Sequence, residues 1–432
     1  MNTRQLTASK TLGLCTLMLA GIWSPATNRA NATETDPVLA WNEILQSTVA
    51  LANPHFQSRA GATTQLAVFE AVNAIVGDYE PYLGTIAAPA GASPEAATVA
   101  AAYRTLRFLF PGNSLSLDTS FSTSLAAIPD GPAKNAGVAV GEAAAAAMIA
   151  LRTNDGSAQA QGIPYTPGTE VGDWQPAAPA FTPASLPGWG LVTPFGLEEG
   201  SQFRLPPPPS LKSGLYARDY EEIRLVGRLD SQFRPQDRSD VARFFAVSSP
   251  VQVWNQAARQ VSVAQGRTLS ENARNFALLA MAVGDASIAT YETKYYYNFW
   301  RPQNAIRAGA IDGNWKTDSD AGWLPLIATP AFPSYPSAHA TLSNAARTVL
   351  ERLLGRQDIA IMLSNSRIPE VVLTYTDWKQ ICADIDDARV FGGIHFRFEQ
   401  DAGTRQGRDV AHYILDNYLR APEDEAAVSD TE

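Results

Sequence analysis

Cations, a hydroxyl and imidazoles recur in three short stretches of the chain: Lys294 and Arg301 in KYYYNFWRP, Ser337 and His339 in PSYPSAHAT, and Arg389 and His395 in ARVFGGIHFRFE. These are the groups that grip an oxyanion. Imidazole can in addition carry protons, ligate a transition metal or attack phosphorus. Only four histidines occur in 432 residues, and two of them fall here.

Spacing sharpens the reading of each stretch. Seven helical steps of about 100° fall about 20° short of two turns, so Lys294 and Arg301 are expected on one helical face, with Pro302 biasing Arg301 toward leaving the helix. Ser337 precedes a helical pattern that ends at Gly355, which puts Ser337 to His339 at a helix N-terminus, where free N–H groups and the dipole favour an anion. Gly392-Gly393 suggests a turn or close backbone approach before a second helix near His395, with Arg389 suited to bidentate oxyanion binding. Each stretch also has a plain structural reading: cations lying over apolar surface, a serine cap beside an incidental histidine, and a histidine satisfied in the core.

Helical periodicity dominates the elements that must carry these residues. AATVAAAYRTLRFLF follows Ser93-Pro94-Glu95, a capping serine with proline at the first helical position. Similar patterns predict helices over 36–51, 60–76, 130–152, 235–247, 252–264, 268–300, 337–354, 368–384 and 396–419. No series of alternating strands is evident, so the expected class is all-α. Residues 164–209 hold eleven of the 29 prolines, too many for a helix. Yet Trp174, Phe181, Trp189, Phe195 and Phe203 make that segment too apolar for a solvated linker. The expected layout is an N-terminal helical bundle (33–160), a proline-rich packed connection (161–214), a C-terminal bundle bearing the three stretches (215–420) and an acidic tail (421–432).

An apolar fraction of 45% and a charged fraction of 18% fit a folded globular chain. Residues 1–32 read as a secretory signal: Arg4 and Lys10, the apolar run TLGLCTLMLAGIW, and Ala30-Asn31-Ala32 as a small-residue cleavage site. Export to the periplasm or the medium is the localisation this predicts. The formal net charge is −10, and loss of the signal would remove three basic residues and no acid. Such an acidic chain argues against nucleic acid or an anionic membrane surface as partner, so an anion site must be a local basic pocket in an unfavourable overall field. Cys15 goes with the signal and leaves Cys382 alone, which excludes an internal disulfide, a four-cysteine zinc site and a dithiol redox pair. Beyond the signal no apolar run reaches the roughly 18 residues of a membrane span, so no integral membrane segment is expected. No oligomeric state is assigned.

Taken in order, Lys294, Arg301, Ser337, His339, Arg389 and His395 reproduce the three-part pattern KxxxxxxRP, PSGH, SRxxxxxH. Through it the chain resembles the vanadium-dependent haloperoxidases and the type 2 phosphatidic-acid-phosphatase superfamily, closely so over residues 285–405. The signal, the helical remainder and the proline-rich connection are similar to bacterial exported haloperoxidases. Ala338 replaces the motif glycine but keeps its N–H. Ala388 replaces the motif serine, and Glu399 stands where an aspartate often follows the second histidine, departures that bear on the support of the site and not on the anion pocket. FWRP and FPSYPSAHAT resemble fungal-type chloroperoxidase segments, with phenylalanine at the position of Phe332, where algal bromoperoxidases usually have histidine. Tyr291 stands where those chloroperoxidases tend to carry tryptophan. Phe332, Trp300 and Tyr291 are the expected pocket wall.

The resemblance implies a bound vanadate, with phosphate able to occupy the same site. His395 would be the single protein ligand of vanadium. Lys294, Arg301 and Arg389 would neutralise its oxygens, helped by the Ser337 hydroxyl and the Ala338 N–H. His339 would bond the apical oxygen and act as general base on hydrogen peroxide, with Lys294 polarising the oxygen that a halide attacks. Hypohalous acid would then reach a small organic acceptor. Two other readings use the same residues: a phosphatase with His395 as phosphohistidine nucleophile and His339 protonating the leaving alcohol, and a non-catalytic anion binder, which needs neither histidine. Asp230, Glu221 and Glu222 are the candidate acids for orienting His339 or Arg389.

Overall fold

The structure, a computed structural model, describes residues 36–421 except 357; the expected signal (1–32) and the acidic tail from residue 422 lie outside the described residues. Helices follow one another in the order α1 (Pro37–Val49), α2 (Pro54–Val76), α3 (Pro94–Leu109), α4 (Ser114–Ala126), α5 (Pro132–Arg152), α6 (Ser157–Ala160), α7 (Gly214–Val226), α8 (Gln236–Val247), α9 (Pro250–Gln265), α10 (Leu269–Tyr297), α11 (Pro302–Arg307), α12 (Ala338–Leu354), α13 (Trp378–Phe391) and α14 (Arg397–Asn417). The expected all-α class holds. No described helix is long and apolar enough to cross a membrane.

The longest helix among the described residues, α10, starts at a capping box in which Thr268 and Glu271 satisfy each other's free backbone N–H groups. It is buried nearly all round from Ser270 to Lys294, as a helix must be when small and apolar residues cover every face. It packs against α2, α12 and α14. The helices before and after the connection therefore share one core, in which Phe69, Trp254, Phe276 and Trp378 are fully buried.

Close approach of α14 to α12 sets the second half. A Cβ on Gly407 would lie 2.1 Å from the Thr341 carbonyl oxygen, and one on Gly403 2.7 Å from that of Ser337, so only glycine permits this spacing. The two helices begin side by side, and the Ser337 N–H donates to the Glu399 carbonyl at 3.0 Å.

The proline-rich connection packs over the helices. Trp174, Trp189 and Phe195 are buried, while Phe181 is 63% exposed. Its anchor is Asp285 in mid-α10, whose carboxylate accepts from the N–H groups of Phe195 (2.6 Å), Gly196 (2.7 Å) and Leu197 (2.9 Å).

Several element boundaries differ from expectation. The helix expected over 368–384 begins only at Trp378, capped by Asp377. Ahead of it, β1 (Ile361–Leu363) and β2 (Leu373–Tyr375) pair antiparallel, with Ile361 opposite Tyr375. Alternating burial of Ile361, Met362 and Leu363 is a strand's period, too short to read in sequence. The helix expected from residue 60 starts at Pro54, capped by Asn53, which brings His55 into its first turn. Helices α4 and α7 are absent from the expected set; α4 fully buries only Leu117, so its apolar period is faint.

Candidate active site

Four chain segments converge on one buried site: the end of α10, the loop 332–337 with the start of α12, the last turn of α13, and the turn into α14. Lys294 and Arg301 do not project from one helix face. Helix α10 ends at Tyr297, Asn298 takes the left-handed conformation (φ 51°), and Arg301 is the extended residue before Pro302 of α11. The chain break, more than the helical spacing, aims the guanidinium.

Both cations are fully buried. Lys294 Nζ donates to the carbonyls of Pro333 (3.1 Å), Ser334 (2.7 Å) and Pro336, which takes all three ammonium N–H bonds. Arg301 donates from Nε to the Phe332 carbonyl (2.8 Å) and from Nη1 to the Ile394 carbonyl (2.9 Å), and Nη1 also lies 3.1 Å from His395 Nε2. Its Nη2 is buried and has no partner. Arg389, in the last turn of α13, donates to the Phe245 carbonyl (3.2 Å), and its buried Nε is likewise unpartnered. Burial pulls the Arg301 pKa down to about 10, and burial with the neighbouring Arg301 charge pulls Arg389 to about 9. Lys294 is pushed well below its usual value by burial first and by Arg301 next.

His395 sits at the bend between α13 and α14, reached through Gly393 (φ 79°), where a Cβ would lie 2.4 Å from the Gly227 carbonyl oxygen. Its Nδ1 lies 2.6 Å from Glu399 Oε2, one helical turn on. That carboxylate oxygen also accepts from the Ser334 hydroxyl (2.8 Å) and the Phe396 N–H (3.0 Å). Glu399 thus supplies direct support to His395, and its replacement of the usual aspartate leaves no gap. Burial raises the Glu399 pKa to about 7 against the opposing pull of Lys294 and Arg301. Burial, then Arg301 and Lys294, hold His395 well below 6.5. With Nδ1–H committed to Glu399, the lone pair is on Nε2.

Ser337 caps α12, its hydroxyl accepting from the Ala340 N–H at 3.4 Å. His339, in the first turn, keeps a partly exposed edge. Desolvation and the Arg389 charge hold it well below 6.5, opposed by the Phe245 carbonyl. The ring of Phe332 lies under both cations, with Arg301 Cζ 4.7 Å and Lys294 Nζ 5.3 Å from its centroid. Tyr291 packs 5.4 Å from Phe332. Trp300 belongs to a separate cluster with Tyr216, Phe396 and Phe398, whereas Tyr291 and Phe332 share one with Trp189 and Ile288.

None of the three candidate acids orients the site. Asp230 pairs with Arg228, Glu221 with Arg224 and Glu222 with Arg397. A backbone group, the Phe245 carbonyl, takes that place beside Arg389 and His339. The sequence reading also misses His55, which packs edge-on against Tyr291 with ring centroids 4.0 Å apart.

Three buried cations with no carboxylate at ion-pair distance among the described residues, two spare guanidinium N–H groups and a helix N-terminus form a donor set for a tetrahedral oxyanion. Vanadate and phosphate both fit that chemistry. Residues 274–423 match the family model described as the VCPO second helical-bundle domain. Over 261 residues, 49% of this chain and 42% of the relative, the sequence is 25% identical to vanadium chloroperoxidase of Curvularia inaequalis, so the match spans less than half of that relative's length. A bacterial vanadium-dependent iodoperoxidase superposes with a TM-score of 0.74 at 23% identity, covering 89% of this chain and 96% of that one. The fold is that of the vanadium haloperoxidases. A bacterial vanadium-dependent chloroperoxidase in its holo form gives a TM-score of 0.65 at 16% identity, over 85% of this chain and 93% of that one.

Proposed function

We propose that this chain is an exported vanadate-dependent haloperoxidase that uses hydrogen peroxide to oxidise halide to hypohalous acid, which then halogenates a small organic acceptor. The observation that carries it is the pair of buried guanidinium nitrogens, Arg301 Nη2 and Arg389 Nε, left without partners beside a histidine whose lone pair is fixed on Nε2. Leaving such donors unpaired in the interior costs about 1–3 kcal/mol each, a cost that a bound oxyanion would offset. Bound vanadate would supply a Lewis-acidic centre that activates peroxide without a change of oxidation state.

His395 would hold it through Nε2, with Glu399 keeping the ring oriented and electron-rich. Arg301, Arg389 and the Ala338 N–H would bind its oxygens. Lys294, its N–H bonds directed to carbonyls, would act through its charge. Neutral, partly exposed His339 would take the proton from incoming hydrogen peroxide at its ring nitrogen. The apolar ring of Phe332 beside both cations, backed by the buried Tyr291, would strip water from an approaching halide. Chloride turnover at mildly acidic pH is therefore expected, with bromide faster because it is easier to oxidise.

The test is to load the protein with orthovanadate and measure peroxide-dependent halogenation of a 1,3-diketone with chloride, bromide and iodide, beside hydrolysis of p-nitrophenyl phosphate by vanadate-free protein. Halogenation that requires both vanadate and peroxide is the expected result. Phosphate-ester hydrolysis without any halogenation would establish the phosphatase reading instead.

A further inference from the structure

Ser334 is the first serine of PSYPSAHAT, ahead of the cap Ser337, and it is fully buried. Each of its polar groups is spent on a different part of the site. Its N–H donates to the Phe299 carbonyl at 2.8 Å, its carbonyl accepts from Lys294 Nζ at 2.7 Å, and its hydroxyl donates to Glu399 Oε2 at 2.8 Å. The loop that carries it also takes bonds from Arg301 at the Phe332 carbonyl and from Lys294 at the carbonyls of Pro333 and Pro336. The Ser334 hydroxyl thus links the loop that gathers the cations to the carboxylate that supports His395.

Bonds at Glu399 decide how that link acts. Oε1 is buried without a partner, so the carboxylate is oriented through Oε2 alone. Three groups converge on Oε2: the Phe396 N–H at 3.0 Å, the Ser334 hydroxyl at 2.8 Å and His395 Nδ1 at 2.6 Å. The Phe396 bond is local to the start of α14, whereas the Ser334 bond comes from 65 residues away and ties the carboxylate to the cation-binding loop. A carboxyl oxygen carrying a hydrogen of its own would accept poorly from the first two donors, so the third contact is His395 Nδ1–H donating. From the other side Arg301 Nη1, which can only donate, lies 3.1 Å from Nε2 and meets a lone pair there. The Ser334 hydroxyl also lies 3.5 Å from His395 Nδ1, at the limit of a hydrogen bond. Turned that way it would make Nδ1 an acceptor and move the ring hydrogen to Nε2, the nitrogen a ligand needs. The shorter bond to a carboxylate wins.

We propose that Ser334 is a positioning residue of the anion site: by spending its hydroxyl hydrogen on Glu399 Oε2, it keeps His395 Nδ1–H on that oxygen and the Nε2 lone pair open to a ligand. Without the hydroxyl, Oε2 keeps a donor from its own helix but loses its tie to the loop that holds Lys294 and Arg301. A ligand at Nε2 displaces the Arg301 bond there, so the Nδ1 side alone then holds the ring. The inference rests on His395 as the ligand, and so on the haloperoxidase reading, but its first test needs neither vanadate nor turnover.

In vanadate-free protein carrying 15N-labelled histidine, long-range proton–nitrogen spectra should show wild-type His395 with its hydrogen on Nδ1. In Ser334→Ala, checked for a native melting transition, the Nε2 resonance should move toward that of a hydrogen-bearing nitrogen, a change that lost packing alone does not produce. Orthovanadate affinity, read by titration, should fall about tenfold, the lower end of what a histidine ligand loses with an outer partner. Ser334→Cys places a weak S–H donor at the same position and should lie between the two. Wild-type His395 with its hydrogen on Nε2, or a folded Ser334→Ala whose His395 resonances match wild type, overturns the proposal. Where Ser334→Ala does not fold, a Ser334→Cys spectrum identical to wild type does the same. Wild-type protein that halogenates nothing would sink the haloperoxidase reading, and the vanadate-free spectra would then still decide this inference.

Discussion

Asp285 and the pair Arg301 and Arg389 are all charged groups withdrawn from water, and the protein treats them in opposite ways. Both Asp285 oxygens are occupied by backbone N–H groups of residues 195–197, and neither is left without a partner. The two arginines each retain a buried N–H without partner, and they repel one another. A buried charge whose hydrogen bonds are filled by backbone belongs to the architecture. One left open among charges of its own sign is configured for a ligand. Lys294 lies between these cases: its N–H bonds are filled by carbonyls, while its charge adds to the crowd.

The contrast breaks most sharply at His395. His395→Ala should abolish vanadate-dependent halogenation, because the guanidinium groups alone hold an oxyanion without the bond that fixes it. Halogenation at the wild-type rate in the vanadate-supplemented variant would refute the ligand assignment. His339→Ala should slow halogenation by about 10²–10⁴-fold, the usual loss on removal of a general base, with vanadium retained after dialysis. A metal-free dialysed variant would mean that His339 is part of the binding set.

Glu399→Gln sharpens the same contrast by changing the carboxylate whose charge acts on Lys294 and Arg301. The glutamine side chain still reaches His395 but no longer carries the charge that makes Nδ1–H a strong donor. Vanadate affinity should fall by about 10–100-fold, as when a histidine ligand loses its outer partner. Equal affinities in titrations of wild type and variant would show that Glu399 serves only the loop bonds to Ser334 and Phe396.

The legible part of this molecule is the part encoded locally. The six motif residues fall in three contiguous stretches, and Ser337 announces its helix by cap chemistry. Glu399 could have been placed too, because four residues after His395 on a helix start is one turn. His55 could not, since its partner Ser287 lies 232 residues away and its helix begins before the apolar period does. The partner of Arg389 was out of reach for a different reason: it is the carbonyl of Phe245, and a backbone atom leaves no trace in residue type. Asp230, Glu221 and Glu222 have the right chemistry, yet each is matched to an arginine of its own. The approach of Lys294 to Arg301 was legible as a pairing but not as a geometry, because Asn298 ends the helix between them.

The gentlest test lies at the other pole of the comparison. Asp285→Asn should leave halogenation intact, because the residue anchors the connection and touches nothing in the pocket. It should lower stability at neutral pH by about 1–3 kcal/mol, since the amide turns N–H groups toward the backbone N–H donors that the carboxylate accepts. The loss should also depend on pH. Burial raises the Asp285 pKa from 3.8 to about 6, against the three N–H groups that lower it. Between those values the folded protein holds a proton that the unfolded chain has released, so this group's contribution is fully present below 3.8 and is lost as pH rises through about 6. The stability difference between wild type and Asp285→Asn should therefore be larger at acid pH than at neutral pH. Urea midpoints of both proteins measured across that range decide it: parallel curves would show that the three N–H donors outweigh burial and that Asp285 is ionised throughout.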